Sequence, residues 1–98
     1  MDTLDQKLRA LVAQYESLQD ELALPATSSD LDALRRLGRE AARLEPVVAA
    51  FSGLEAIRGE LAGAREMRDA ESEDELRAMA REEVDRLEAA EAAALEEL

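Results

Sequence analysis

The fold is decided by residues 30–69, DLDALRRLGREAARLEPVVAAFSGLEAIRGELAGAREMRD. Apolar residues recur there every three or four positions, which is the spacing that places side chains on one face of an α-helix. The apolar face changes sides partway along. The first half carries Leu34, Leu37, Ala41, Leu44, Val48 and Phe51, and the second half carries Leu54, Ile57, Leu61 and Ala64. These two stripes point in nearly opposite directions, so we expect the first half to pack on the preceding helix and the second on the following one.

Two arrangements of this stretch remain open from the sequence. The helix can be continuous from 30 to 69, with a kink at Pro46, because an interior proline removes one backbone hydrogen bond. Alternatively it can break near Ser52-Gly53 and give four helices. Gly53 alone is a weak stop signal, since no Asn, Asp or Pro follows it to build a turn. A continuous helix of this length would be about 60 Å long.

A shorter helix is predicted before it, over residues 3–23. Its apolar stripe is Leu4, Leu8, Leu11, Tyr15, Leu18 and Leu22. Thr3 and Gln6 have the spacing of a capping box, in which both side chains bond to backbone N–H groups. Pro25 disfavours helical geometry in Leu24 and ends this helix. The loop PATSS should then reverse the chain, with Ser29 or Asp30 as the next N-cap.

A third helix is predicted over residues 73–96. Ser72 and Glu75 again have capping-box spacing. Its stripe is Leu76, Ala80, Val84, Leu87, Ala94 and Leu98, interrupted by Glu83 and Glu91. Large apolar residues thin out after Leu87, so we expect the tail to fray or to pack against residues beyond Leu98. The predicted fold is therefore all-α, an elongated antiparallel bundle or coiled coil of three helices forming one domain, residues 1–98.

Composition narrows the functional classes. The net charge is −12, most of it from Glu66 onward, and phosphate binding needs clustered Lys and Arg, so no direct contact with nucleic acid is expected. The sequence has no His and no Cys, which removes the commonest general base, thiol nucleophile and transition-metal ligands. We therefore predict no enzyme activity, no catalytic residues, no metal and no cofactor. The chain lacks a signal peptide and a membrane-length apolar run, which favours the cytoplasm.

One basic group interrupts this acidic chain. Arg35, Arg39 and Arg43 recur every fourth residue, with Arg36 beside them, roughly opposite the stripe of Leu37 and Leu44. The plainer interpretation is a solvated face partly neutralised by Glu40 or by a neighbouring helix. The functional interpretation is a contact patch for an acidic protein surface. The acidic face of the third helix could equally meet a basic partner.

The order of these parts resembles the N-terminal domain of bacterial class I peptide-chain release factors, of the type reading UAA and UAG. The opening LDQKLRALVAQYESLQDEL precedes a short Pro-containing loop. The segments LRRLGREAARLEPVVAAFSGLEAIRGELAGAREM and DAESEDELRAMAREEVDRLE then follow the family's pattern. The family's Gly-Gly-Gln loop and stop-codon recognition loop do not occur here. The resemblance implies an excised, non-catalytic N-terminal domain that contacts the ribosome near the stalk base and influences the recycling GTPase.

Two other functions remain open. The chain could be a free-standing structural coiled coil that self-associates through the two stripes of its central helix. It could also be a helical arm of an RNA-binding enzyme, although such arms need basic patches to hold RNA.

Overall fold

The computed structural model describes residues 3–98, and within that range the only regular secondary structure is helical. The helices are α1 (Leu4–Leu22), α2 (Pro25–Ser28), α3 (Leu31–Ala70) and α4 (Asp74–Glu96). The all-α prediction is confirmed, and the three long helices lie within one residue of their predicted bounds at each end. None of the helices in the described part of the chain is both long enough and apolar enough to cross a membrane.

Helix α1 begins with the predicted capping box. The Gln6 backbone N–H donates to Thr3 Oγ1 at 3.1 Å, and the Thr3 N–H donates to Gln6 Oε1 at 2.7 Å. The helix ends at Leu22, just before Leu24 and Pro25, as predicted.

The segment between α1 and α3 was predicted as a loop and contains the short helix α2. Pro25 occupies its first turn, where the missing N–H costs nothing and the fixed φ suits a helix. The hydroxyls of Ser28 and Ser29 donate to carbonyls three residues earlier, both at 3.1 Å. Asp30 then caps α3, because its Oδ1 accepts the Ala33 N–H at 3.1 Å.

Helix α3 runs unbroken for 40 residues with Pro46 inside it. The break near Ser52-Gly53 that the sequence left open does not occur, and the additional helix is α2 instead. No glycine of the described chain has the positive φ that would end a helix. Gly53 therefore remains an ordinary helical residue.

Helix α4 begins differently from the prediction. Its N-cap is Glu73, which makes no side-chain cap bond, so the predicted capping box of Ser72 and Glu75 is wrong. The Glu71 carboxylate takes the free N–H groups instead, accepting from Ser72 at 3.0 Å and from Glu73 at 3.1 Å. Arg77 Nε donates to the Glu71 carbonyl at 3.2 Å. These bonds pair the backbone N–H groups of Ser72 and Glu73 and the carbonyl of Glu71, and the helix begins at Asp74.

The chain forms two compact units, one ending at Ala49 and the other beginning at Ala50. In the first unit, α1 and the first half of α3 share a core. Its buried members are Leu18, Leu37, Ala41 and Leu44, with Leu11, Tyr15, Leu22 and Val48 packed against them. This confirms that the first stripe of α3 packs on the preceding helix.

The second unit contains the second half of α3 and α4. Its core joins Leu61 to Val84 and Leu87, with Ile57 and Ala64 packed against them. The second stripe of α3 therefore packs on the following helix, as predicted. Two interhelical ion pairs show that these segments are antiparallel: Arg58 meets Glu91, whereas Arg65, further along α3, meets the earlier Glu88.

The end of α4 is helical through Glu96. Glu91, which interrupts the apolar stripe, is half-buried and accepts a hydrogen bond from Arg58 Nε at 3.3 Å. Arg58 also donates to Glu55 Oε1 at 3.1 Å. The negative charge of Glu91 within the apolar stripe is thus balanced by Arg58 on α3.

Candidate protein-contact surface

The predicted contact patch lies on the exposed side of α3 in the first unit. We call Arg35, Arg39 and Arg43 the arginine stripe. All three side chains are exposed, while Leu37 and Leu44 on the same helix are buried. The four-residue spacing carries the stripe along one side of the helix with only a slow drift around its axis.

The arginine stripe forms no ion pair or hydrogen bond with any residue that the structure describes. Glu40, which the sequence offered as a neutralising partner, lies beyond ion-pair distance of all three arginines. The second unit differs in that five of its six arginines are engaged by acidic neighbours that the structure describes, Arg81 being the exception: Arg58 with Glu55 and Glu91, Arg65 with Glu88, Arg68 with Asp69, Arg77 with Asp74, and Arg86 with Glu83. The stripe thus presents guanidinium groups with unused donors.

A surface depression of about 510 Å³ lies at the beginning of α3. It is lined by Asp30, Asp32, Ala33, Arg35, Arg36 and Arg39, so it includes two members of the arginine stripe but not Arg43. The Asp30 carboxylate in its wall is already used as the helix cap. Guanidinium groups present a planar fork of N–H donors that fits carboxylates in bidentate geometry. The guanidinium groups of Arg35, Arg36 and Arg39 are therefore chemically suited to a carboxylate, whereas Asp32 adds a negative charge to the same wall.

The acidic face of α4 was the other charged surface singled out by the sequence. Glu82 and Asp85 are exposed, and Glu88 lies 3.9 Å from Arg65. On a different side of the helix, Arg86 Nε donates to Glu83 Oε2 at 3.0 Å. This hydrogen bond, aided by the charge of Arg86, lowers the pKa of Glu83 below its ordinary value.

No group of three or more acidic, His or Cys side chains within residues 3–98 is arranged to hold a metal ion. Sequence reasoning also missed two arginines with structural roles, Arg58 and Arg77. The signal for Arg77 was its position one turn after an acidic connector, and its side chain donates to the Glu71 and Ser72 carbonyls of that connector. Arg58 could be found only once the register between α3 and α4 was known.

These features define a small all-α module that exposes charged helix faces. The chain belongs to the PCRF domain family, whose model matches residues 11–98. The resemblance to class I release factors seen in the sequence is thereby confirmed.

Several curated relatives named peptide chain release factor 1 are similar to this chain. The protein of Mycolicibacterium gilvum (strain PYR-GCK) is 42% identical over 60 residues, covering 61% of this chain and 17% of that protein. The protein of Mycobacterium sp. (strain KMS) is 45% identical over 58 residues, covering 59% and 16%. The chain thus spans about one sixth of these relatives' length. No solved structure gave a significant match.

Proposed function

We propose that this chain is the non-catalytic N-terminal interaction domain of a translation termination factor. The observation that carries the proposal is the PCRF domain match over residues 11–98, together with relatives named peptide chain release factor 1. In this proposal the domain contacts the ribosome near the stalk base and affects the recycling GTPase, and it acts in the cytoplasm. Peptide release itself belongs to residues outside this chain.

The arginine stripe is the proposed contact patch of this domain. Its guanidinium groups are exposed and have no acidic partner in residues 3–98, and they lie on the one markedly basic segment of an otherwise acidic chain. An acidic protein surface would supply the carboxylates that the stripe lacks. Charge-assisted bonds of this kind contribute to specificity and association rate as well as to affinity.

Co-sedimentation of the 98-residue chain with ribosomes tests the proposal. We expect the unmodified chain to pellet with ribosomes, and the triple variant Arg35→Glu/Arg39→Glu/Arg43→Glu to lose most of that binding. Reversing three charges on the contact surface should weaken binding by roughly tenfold or more.

The matched control is Lys7→Glu/Arg9→Glu/Arg81→Glu, which changes the net charge equally at exposed positions that are not part of the stripe. Equal loss in both triple variants would mean that only overall charge matters, and the contact patch would be refuted. The domain assignment has its own test. A reading frame that continues past Leu98 to a Gly-Gly-Gln segment supports it, and one that stops there contradicts it.

A further inference from the structure

Three large apolar side chains of the second unit are left in solvent. Met67 near the end of α3 is 60% exposed, Met79 on α4 is 61% exposed, and Leu76 in the first turns of α4 is 42% exposed. We call these three residues the methionine flank. None of them belongs to the core formed by Leu61, Val84 and Leu87.

The two long sides of the α3–α4 hairpin are chemically different. One side is closed by ion pairs that link the two helices, Arg58–Glu91 at 3.3 Å and Arg65–Glu88 at 3.9 Å. Glu60 follows Arg58 by two residues, and Arg86 precedes Glu88 by two. Two residues correspond to about 200° around a helix, so Glu60 and Arg86 belong to the other side.

The electrostatics of Arg86 agree with that placement. Its pKa is raised mainly by the hydrogen bond to Glu83, and the charge of Glu60 across the hairpin adds to the shift. Met67 follows Glu60 by seven residues and Met79 precedes Arg86 by seven. Seven residues return a helix to within about 20° of the same direction. Both methionines therefore lie on the side of Glu60 and Arg86.

Leu76 extends the same surface. It precedes Glu83 by seven residues, and Glu83 bonds to Arg86. The methionine flank is thus one surface contributed by both helices. It lies on the side opposite the two interhelical ion pairs.

Acidic side chains border this surface. Glu75 and Glu82 stand four residues before and three residues after Met79, so they lie beside it on α4. Both are exposed, and neither forms an ion pair with the described residues. An apolar strip with unpaired carboxylates along its edge needs a partner with the complementary pattern.

We propose that the methionine flank docks a basic amphipathic helix of a partner protein. The partner's apolar side chains would cover Met67, Leu76 and Met79, and its Lys or Arg side chains would meet Glu75 and Glu82. Methionine suits this role because its unbranched, polarisable side chain adapts to irregular apolar partners. A second copy of this chain would bring the same acidic edge against itself. This surface consists of other residues than the arginine stripe and has the opposite charge preference.

The test uses a synthetic 18-residue helical peptide with Leu on one face and Lys on the other. The chain has three methionines, so methionine-methyl NMR gives a simple spectrum, in which Met67→Leu and Met79→Leu assign two signals. We expect those two signals to shift on titration with the peptide. A peptide of the same composition, scrambled so that Leu forms no helical face, should leave them in place.

Variants then separate docking from non-specific charge attraction. Met67→Gln/Met79→Gln should weaken binding roughly tenfold or more, while Met67→Leu/Met79→Leu should retain it. Leu24→Gln/Leu31→Gln changes comparably exposed apolar residues of the first unit and should have no effect. Glu75→Gln/Glu82→Gln should weaken binding and its salt dependence more than the charge-matched Glu16→Gln/Glu21→Gln.

Three results would overturn the proposal. The first is equal binding of the scrambled peptide, and the second is equal weakening by the Leu24/Leu31 and Met67/Met79 variants. The third is a dimer, in sedimentation without peptide, that Met67→Gln/Met79→Gln dissociates, because a second copy would then be the occupant.

Discussion

At the residue scale, the pair of Arg86 and Glu83 shows how a local charge contact affects a pKa and the stability of the fold. The two side chains are one helical turn apart on α4, and both are substantially exposed. The hydrogen bond from Arg86 lowers the pKa of Glu83, so the folded carboxyl holds its charge to lower pH than the unfolded one. The pair's stabilisation is therefore present above the unfolded pKa and is lost as pH falls through the folded pKa. Solvent screening keeps that contribution small.

Replacing Arg86 should reverse this shift. In Arg86→Gln, the pKa of Glu83 should rise toward or above its ordinary value of 4.5, because the largest cause of its lowering is gone. Carboxyl NMR titration measures this directly. Arg81→Gln removes an exposed arginine on a different side of α4 and should leave Glu83 unchanged. An unaltered Glu83 pKa in Arg86→Gln would contradict the contact.

At the scale of the elements, the continuity of α3 has a simple energetic consequence at Gly53. Glycine in a helix interior costs roughly 0.5–1 kcal/mol relative to alanine. A Cβ atom placed on Gly53 would meet nothing within 4 Å. Gly53→Ala should therefore raise the free energy of unfolding by about that amount, measured by urea denaturation.

Ala49→Gly is the matched control, since Ala49 is also an exposed position inside α3. It should lower the free energy of unfolding by a similar amount. If Gly53→Ala instead destabilised the chain, Gly53 would be needed for a turn, and the continuous helix would be wrong.

The helix ends that the sequence predicted correctly depend on neighbours within a few residues. The side chains of Thr3, Gln6 and Asp30 accept from unpaired backbone N–H groups three residues away. Such caps can therefore be predicted from the local sequence. The box of Ser72 and Glu75 does not form, because the Ser72 N–H, which the Glu75 side chain would accept in such a box, donates to the Glu71 carboxylate instead. Spacing rules do not rank such competitors.

Contacts between helices were harder to predict from the sequence. The bond from Arg58 to Glu91 joins residues 33 apart, and it exists only in one register of α3 against α4. The exposed position of the arginine stripe followed from the buried face opposite it, but its lack of an acidic partner in residues 3–98 depended on neighbouring segments. Its role as a contact patch stays a prediction.

At the scale of the whole chain, one helix serves two cores. The first half of α3 packs with α1 around Leu37 and Leu44, and the second half packs with α4 around Leu61. Each unit therefore has its own apolar interior and its own charged surface. The first exposes the arginine stripe, and the second exposes the acidic side of α4 and the methionine flank. This division allows one PCRF domain to present chemically opposite surfaces.

The most direct test of this account is amide hydrogen exchange on two variants, Leu44→Ala and Leu61→Ala. Each removes a buried leucine, which costs about 2–5 kcal/mol, but from a different core. Leu44→Ala should accelerate exchange mainly in α1 and in α3 before Ala49, and Leu61→Ala mainly in α4 and in α3 after Ala50. If both variants accelerated exchange equally in α1 and α4, the two stripes of α3 would belong to a single core, and the account would be wrong.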